Sequence, residues 1–130
     1  MFDLKANLVL ISVDFDKAQK NILSLSDNTI IFPSVNIESL TSIEDTINNY
    51  GRNLFQDSLI MAPYINNLKL IELHNQYLSE SYPTTINMIY GTTVPKATVK
   101  SDYYWFPFDF TDTMIANQLT IIGKVISHSI

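Results

Sequence analysis

The stretch from Leu4 to Val13 constrains the fold of this chain more than any other. Read as a strand, it puts Leu8, Leu10 and Ser12 on one face and Val9, Ile11 and Val13 on the other. Strand side chains alternate between faces, so a segment apolar at both parities has no face to give to water. Such a strand belongs near the middle of a sheet.

The remaining elements follow from hydrophobic period and turn chemistry. Asp14 to Lys20 reads as a polar turn. Asn21–Leu25 and Thr29–Phe32 read as short strands joined by the turn formers Ser26-Asp27-Asn28, with Pro33 ending the second. Ser34 to Thr41 reads as a loop. Ser42 then opens a helix running to Asp57, with Asp45 at the capping-box position and Ile43, Ile47, Tyr50 and Leu54 on one stripe. Gly51 inside it costs about 1 kcal/mol relative to alanine, or serves close approach to a strand. Leu68–Leu78 is a long strand in which Leu68, Leu70, Glu72, His74 and Gln76 alternate with Lys69, Ile71, Leu73 and Tyr77. Ser79–Pro83 is a turn, Thr84–Val94 a strand, Pro95–Asp102 a polar loop and Tyr103–Phe106 a short aromatic strand. Thr111 or Asp112 caps a last helix with the stripe Ile115, Leu119, Ile122 and Ile126. This order fits an α+β sandwich with helices on both sides of a mixed sheet.

Composition narrows function. At 130 residues, positions 1–130 read as one domain with a sizeable core. Eight basic against thirteen acidic residues leave a net charge of −5. No cationic stripe for duplex nucleic acid can be assembled from so few cations. With no cysteine there is no disulfide and no thiolate metal site. That fits the cytoplasm or another reducing compartment. Asp14 and Asp16 cut off the apolar run after Lys5, and no small-residue cleavage site follows, so neither a signal peptide nor a membrane span is expected.

The run from Ser42 to Asp57 contains the chain's lone arginine, Arg52. Its spacing resembles the signature helix of the Nudix hydrolases, G-x5-E-x7-R-E-U-x-E-E-x-G-U. Glu44 falls on the glutamate, Arg52 on the arginine and Leu54 on the aliphatic position. Phe32-Pro33 resembles the strand-end proline before the family's glycine loop, and Tyr104-Trp105-Phe106-Pro107-Phe108-Asp109 the W-x-P-x-[DE] segment before its last helix. The resemblance covers most of the chain and implies a Nudix-like fold, a mixed β-sheet sandwiched between helices. It also implies a Mg2+-dependent hydrolase, and there the residues depart from the pattern. The three metal-binding acids fall on Asn53, Gln56 and Asp57, and the glycines on Glu38 and Leu59. The loop Ser34-Val35-Asn36-Ile37-Glu38 holds no glycine. On one helix, positions i, i+3 and i+4 share a face. That face would offer two neutral amides and one carboxylate, a poor site for a hard cation that takes carboxylate oxygens.

Each candidate residue has a chemical and a structural reading. Glu44, Arg52 and Asp57 are the catalytic set if the chain is active, and Asp57 is the metal ligand if there is one. Otherwise the acids are solvated and Arg52 holds a salt bridge. Arg52 is also the single guanidinium able to grip phosphate or carboxylate with two hydrogen bonds. Arg52, Glu72, His74 and Tyr104 are the ligand-binding candidates, with Glu72 and His74 alternatively on a half-exposed strand face. His128, near the C-terminus, reads as solvated or frayed. Tyr103-Tyr104-Trp105-Phe106 would stack a nucleobase or pack the core. The expectation is a Nudix-like domain with a degraded catalytic box. Its function would be to bind a nucleotide-like ligand, or to serve in assembly or self-association through an aromatic patch of Tyr103 or Tyr104 with Phe108 or Phe110. The alternative is a divergent Nudix-type hydrolase. It would cleave a nucleoside diphosphate linked to another moiety, with Asp57, Glu44 and Glu38 or Glu72 holding Mg2+. A structural protein that shares only the strand–helix order is a third reading.

Overall fold

The computed structural model describes residues 3–14, 19–76, 85–109 and 116–128. Its longest strand, β1 (Asp3–Asp14), organises the sheet. On one edge β5 (Thr85–Thr93) runs parallel to it, from Asp3 opposite Thr85 to Ile11 opposite Thr93. Two strands share the other edge, both antiparallel. β3 (Ser34–Ile37) pairs with Leu4–Asn7, and β2 (Gln19–Ser24) pairs with Ile11–Asp14. β4 (Lys69–Gln76) adds to β5 and β6 (Tyr104–Phe108) adds to β2. The result is a mixed six-stranded sheet in the order β4-β5-β1-β2-β6, with β3 beside β1.

Helices cover both faces, because both faces of β1 are apolar. Ala6, Leu8 and Leu10 pack with Ile47 of α1 (Ile43–Arg52), Met61 and Ile65 of α2 (Ser58–Ile65), and Leu54 and Phe55 between the helices. Val9 and Ile11 pack on the opposite face with Ile122 and Val125 of α3 (Ala116–His128). Asn7 joins β1 to β5 across that face, its Nδ2 donating to Asn87 Oδ1 at 3.0 Å. The architecture is the α+β sandwich expected from the element order.

Two glycines set how closely helices approach. A Cβ on Gly51 would lie 2.9 Å from Ile65 Cγ2 and 3.3 Å from Leu8 Cδ2, so α1 meets α2 and β1 there. A Cβ on Gly91 would lie 2.4 Å from Val125 Cγ2, so α3 rests directly on the β5 backbone. Valine has few rotamers with which to escape such a contact.

The structure corrects several expectations. Thr29–Phe32 is not a strand. The Ser24 hydroxyl donates to the Thr29 carbonyl and accepts from the Ser26 and Ile31 amides, which holds residues 25–31 in a loop. Pro33 leads into a strand rather than out of one, and its carbonyl accepts from Leu8 N–H at 2.8 Å. The expected loop Ser34–Thr41 therefore contains β3 and a 3-10 turn at Leu40–Ser42. Ser39, not Ser42, supplies a capping side chain there, accepting from the Thr41 amide.

The helix expected over Ser42–Asp57 stops at Arg52. Phe55 is fully buried and forms an isolated antiparallel bridge with Val99, which a helix could not offer. α2 has no apolar period for a sequence to show: Leu59 and Ile60 are exposed, Met61 and Ile65 buried, and Pro63 lies inside. In β4 a bulge between Leu70 and Glu72 inverts the alternation. Leu70 pairs with Tyr90 toward α1, whereas Glu72 pairs with Ile89 toward α3. β6 is displaced from the expected Tyr103–Phe106, and the expected residues Ile115, Thr111 and Asp112 lie outside the described residues.

Gly91→Ala is expected to cost about 1–3 kcal/mol by overpacking. Urea unfolding of the single and double variants with Val125→Ala should give a favourable coupling of at least about 0.5 kcal/mol. Strictly additive losses would contradict the contact.

Candidate functional site

α1 carries the residues singled out from the sequence, and its two ends do different things. Glu44 and Asp45 lie exposed in the first turn, where a helix favours negative charge, and Arg52 lies in the last turn, where it favours positive charge. Eight residues of helix rise separate Glu44 from Arg52, about 12 Å. Arg52 does not reach Glu44. Its Nη2 donates to Asn49 Oδ1 one turn back.

Beyond Arg52 the chain leaves the helix. The backbone amide of Asn53 donates to the Asn49 carbonyl and that of Leu54 to the Gly51 carbonyl, which closes the last turn. Gln56 N–H donates to the Thr98 carbonyl at 3.0 Å and Lys100 N–H to the Leu54 carbonyl at 2.9 Å, tying 54–56 to 98–100. Phe55 packs against Trp105, ring centroids 6.3 Å apart, and Trp105 Nε1 donates to the Ala97 carbonyl at 2.8 Å. Asp57 adopts extended backbone and its carboxylate accepts from the Ile60 amide at 3.1 Å, the N-cap of α2. Asn53, Gln56 and Asp57 therefore do not share a helical face. The i, i+3, i+4 geometry inferred from the sequence is replaced by a turn, a bridge and a cap.

The face of the sheet under α1 is rich in phenols. Tyr50, Tyr90 and Tyr103 are half-buried against the same apolar cluster. The Tyr50 hydroxyl bonds the Tyr103 hydroxyl and the Ser34 backbone. Burial, reinforced by Tyr103, pushes the Tyr50 phenol from 10.0 up to about 12. Burial also raises Tyr90, and the nearby Glu44 carboxylate adds to the shift. Tyr50 and Tyr90 were not singled out as site residues. Their signal is tertiary, since Tyr50 of α1 meets Tyr103 before β6, and Tyr90 of β5 packs against the same apolar cluster beside Glu44.

The four ligand-binding candidates are not brought together. Arg52 belongs to α1. Glu72 lies toward α3, its Oε2 2.5 Å from Lys124 Nζ. His74 stands opposite Asn87 in the register. Tyr104, on β6, is four strand spacings from β4, roughly 19 Å. The aromatic segment divides by parity. Tyr103 and Trp105 pack toward α1, whereas Phe106 and Phe108 pack toward α3, and Tyr104 is exposed. Phe110 lies outside the described residues. Among the described residues, no three His, Asp or Glu side chains converge as metal ligands, and no helix is long and apolar enough to cross a membrane.

No family model matches the sequence, and no curated protein matches it. Solved structures do match the fold. A MutT/nudix family protein from Enterococcus faecalis superposes with a TM-score of 0.63 at 11% identity, covering 82% of this chain. This chain spans 44% of that protein's length. The NUDIX domain of Shewanella oneidensis NrtR, solved in complex with ADP ribose, gives 0.60 at 15% identity, over 96% of this chain and 86% of that one. The Caenorhabditis elegans Ap4A hydrolase gives 0.58 at 9% identity, over 98% of each chain. At these identities the likeness establishes the fold: the chain has the α+β, Nudix-like architecture.

The raised Tyr50 phenol makes a checkable link to stability. The folded state favours the neutral phenol, so its contribution is fully present below pH 10 and is lost as pH rises toward 12. The stability advantage of the wild-type chain over Tyr50→Phe should shrink across that window in urea unfolding. A pH-independent difference would contradict it.

Proposed function

We propose that this chain is a non-catalytic Nudix-like module that binds a nucleotide-like ligand over the α1 face of its sheet. One observation carries the non-catalytic reading: Asp57, the single acid left at the family's metal-binding positions, serves as the N-cap of α2. A magnesium ion needs several hard oxygen ligands in octahedral geometry. The donor set at the end of α1 is two amides and a carboxylate already engaged in capping, and it does not fit that ion. Diphosphate cleavage also needs positioned cations for developing charge and a base to activate water. Amide side chains supply neither.

Binding asks less of the site. Tyr50, Tyr90 and Tyr103 offer rings and hydroxyls along one face, with the Glu44 carboxylate near Tyr90 as an acceptor for sugar or base donors. A tyrosine-lined surface suits base and ribose recognition. The ADP ribose held by the NrtR domain suggests the ligand class, a nucleoside diphosphate joined to a sugar. Assembly is the second reading, and α2 favours it. Leu59 is 85% exposed and Ile60 64%, two adjacent aliphatic side chains turned to water on one helix.

Calorimetry with ADP-ribose in the presence of a chelator should show saturable, metal-independent binding. Added magnesium or manganese should produce no turnover. Turnover abolished by Asp57→Asn would overturn the reading in favour of a divergent hydrolase. An inert chain whose self-association is lost in Leu59→Ser/Ile60→Ser would instead be an assembly module.

A further inference from the structure

Away from the α1 face, a pocket of about 410 Å³ opens where the C-terminal ends of α2 and α3 flank the end of the sheet. Tyr64, Asn67, Lys69, Thr92, Thr93 and His128 line it, with the Gly91 backbone between them. None of these is acidic, although the chain carries thirteen acids against eight bases. An ammonium, two threonine hydroxyls, an amide and a phenol all donate hydrogen bonds.

Among the described residues, Lys69 makes no ion pair. The carbonyls of Ala62, Tyr64 and Ile65 at the end of α2 already accept from the amides of Asn66, Asn67 and Leu68, and Lys69 is the charge that offsets the negative end of the helix dipole. His128 Nδ1 lies 2.7 Å from the Lys124 carbonyl, which can only accept. Nδ1 therefore carries hydrogen and Nε2 is the ring's remaining hydrogen-bonding atom.

We infer that this pocket binds the phosphate group of a small phosphorylated molecule. Lys69 supplies the charge, and Thr92, Thr93 and Asn67 supply directional donors for the remaining oxygens. Imidazole Nε2 is a further hydrogen-bonding partner for the phosphate. The volume exceeds what a bare phosphate fills and falls within the range of small-molecule sites, about 300–1,000 Å³. Tyr64, 41% exposed, offers its ring to the organic part. The pocket shares no residue with the α1 face, so its failure and that of the nucleotide reading are independent.

The test is a heteronuclear NMR titration of the full chain with inorganic phosphate and with phenyl phosphate at constant ionic strength. Saturable shifts are expected at the amides of Lys69 and Gly91 to Thr93, with phenyl phosphate the tighter of the two. Lys69→Gln should weaken binding about tenfold while the rest of the spectrum stays in place. Thr93→Val, at an exposed position, should weaken it by a smaller factor. Non-saturating shifts, shifts centred on Arg52 instead, or an unchanged response in Lys69→Gln would overturn the assignment.

Discussion

Everything in this fold is placed by the burial of one strand on both faces and both edges. β1 donates and accepts main-chain hydrogen bonds on each side, to β5 along one edge and to β3 and β2 in turn along the other. Its alternate side chains feed two separate apolar clusters. Full burial of a leucine or isoleucine side chain stabilises by about 1.5–3 kcal/mol. Leu8, Val9, Leu10 and Ile11 are all completely buried, so exposing either face of β1 would remove a large part of the folding free energy. Covering both faces requires helices above and below, and the parallel partner β5 requires a long crossover, which the helices and β4 supply.

That architecture was legible because its signals are local and periodic. Two-sided apolarity in β1 and helical spacing through Ile43, Ile47 and Tyr50 survive into the structure. What was not legible depends on contacts between distant segments. The end of α1 is decided by Phe55, which reaches full burial through Val99 and Trp105, more than forty residues away. Propensity is a weak prior that tertiary contacts override, and Asn53 and Phe55 are among the poorer helix formers. The Ser24 hydroxyl gathers three backbone partners that turn composition alone does not reveal. The bulge in β4 reverses the face of Glu72, and no period-2 reading can anticipate it.

The same contact reshapes the candidate site. Had the helix continued to Asp57, positions 53, 56 and 57 would have projected together, as the family's spacing implies. By breaking at Arg52 the chain gives Phe55 to the core, spends Arg52 on Asn49 and leaves Asp57 to start α2. Two of the three positions are amides in the sequence, and the third has acquired a structural duty in the fold. The proposed role rests on both of these observations, one from the sequence and one from the fold. The tyrosines beneath α1 keep a surface suited to rings and hydroxyls, and this is why binding without chemistry is the proposed role.

The duty assigned to Asp57 can be tested directly by thermal unfolding of the wild-type chain, Asp57→Asn and Asp57→Ala, each with and without magnesium. Asparagine caps helices about as well as aspartate, whereas alanine costs about 1 kcal/mol. The account predicts that Asp57→Asn matches the wild type, that Asp57→Ala is less stable by about that amount, and that magnesium shifts none of the three. A bound ion stabilises only the state that holds it. Magnesium-dependent stabilisation of the wild type that both variants lose would contradict the account, showing that Asp57 holds a metal.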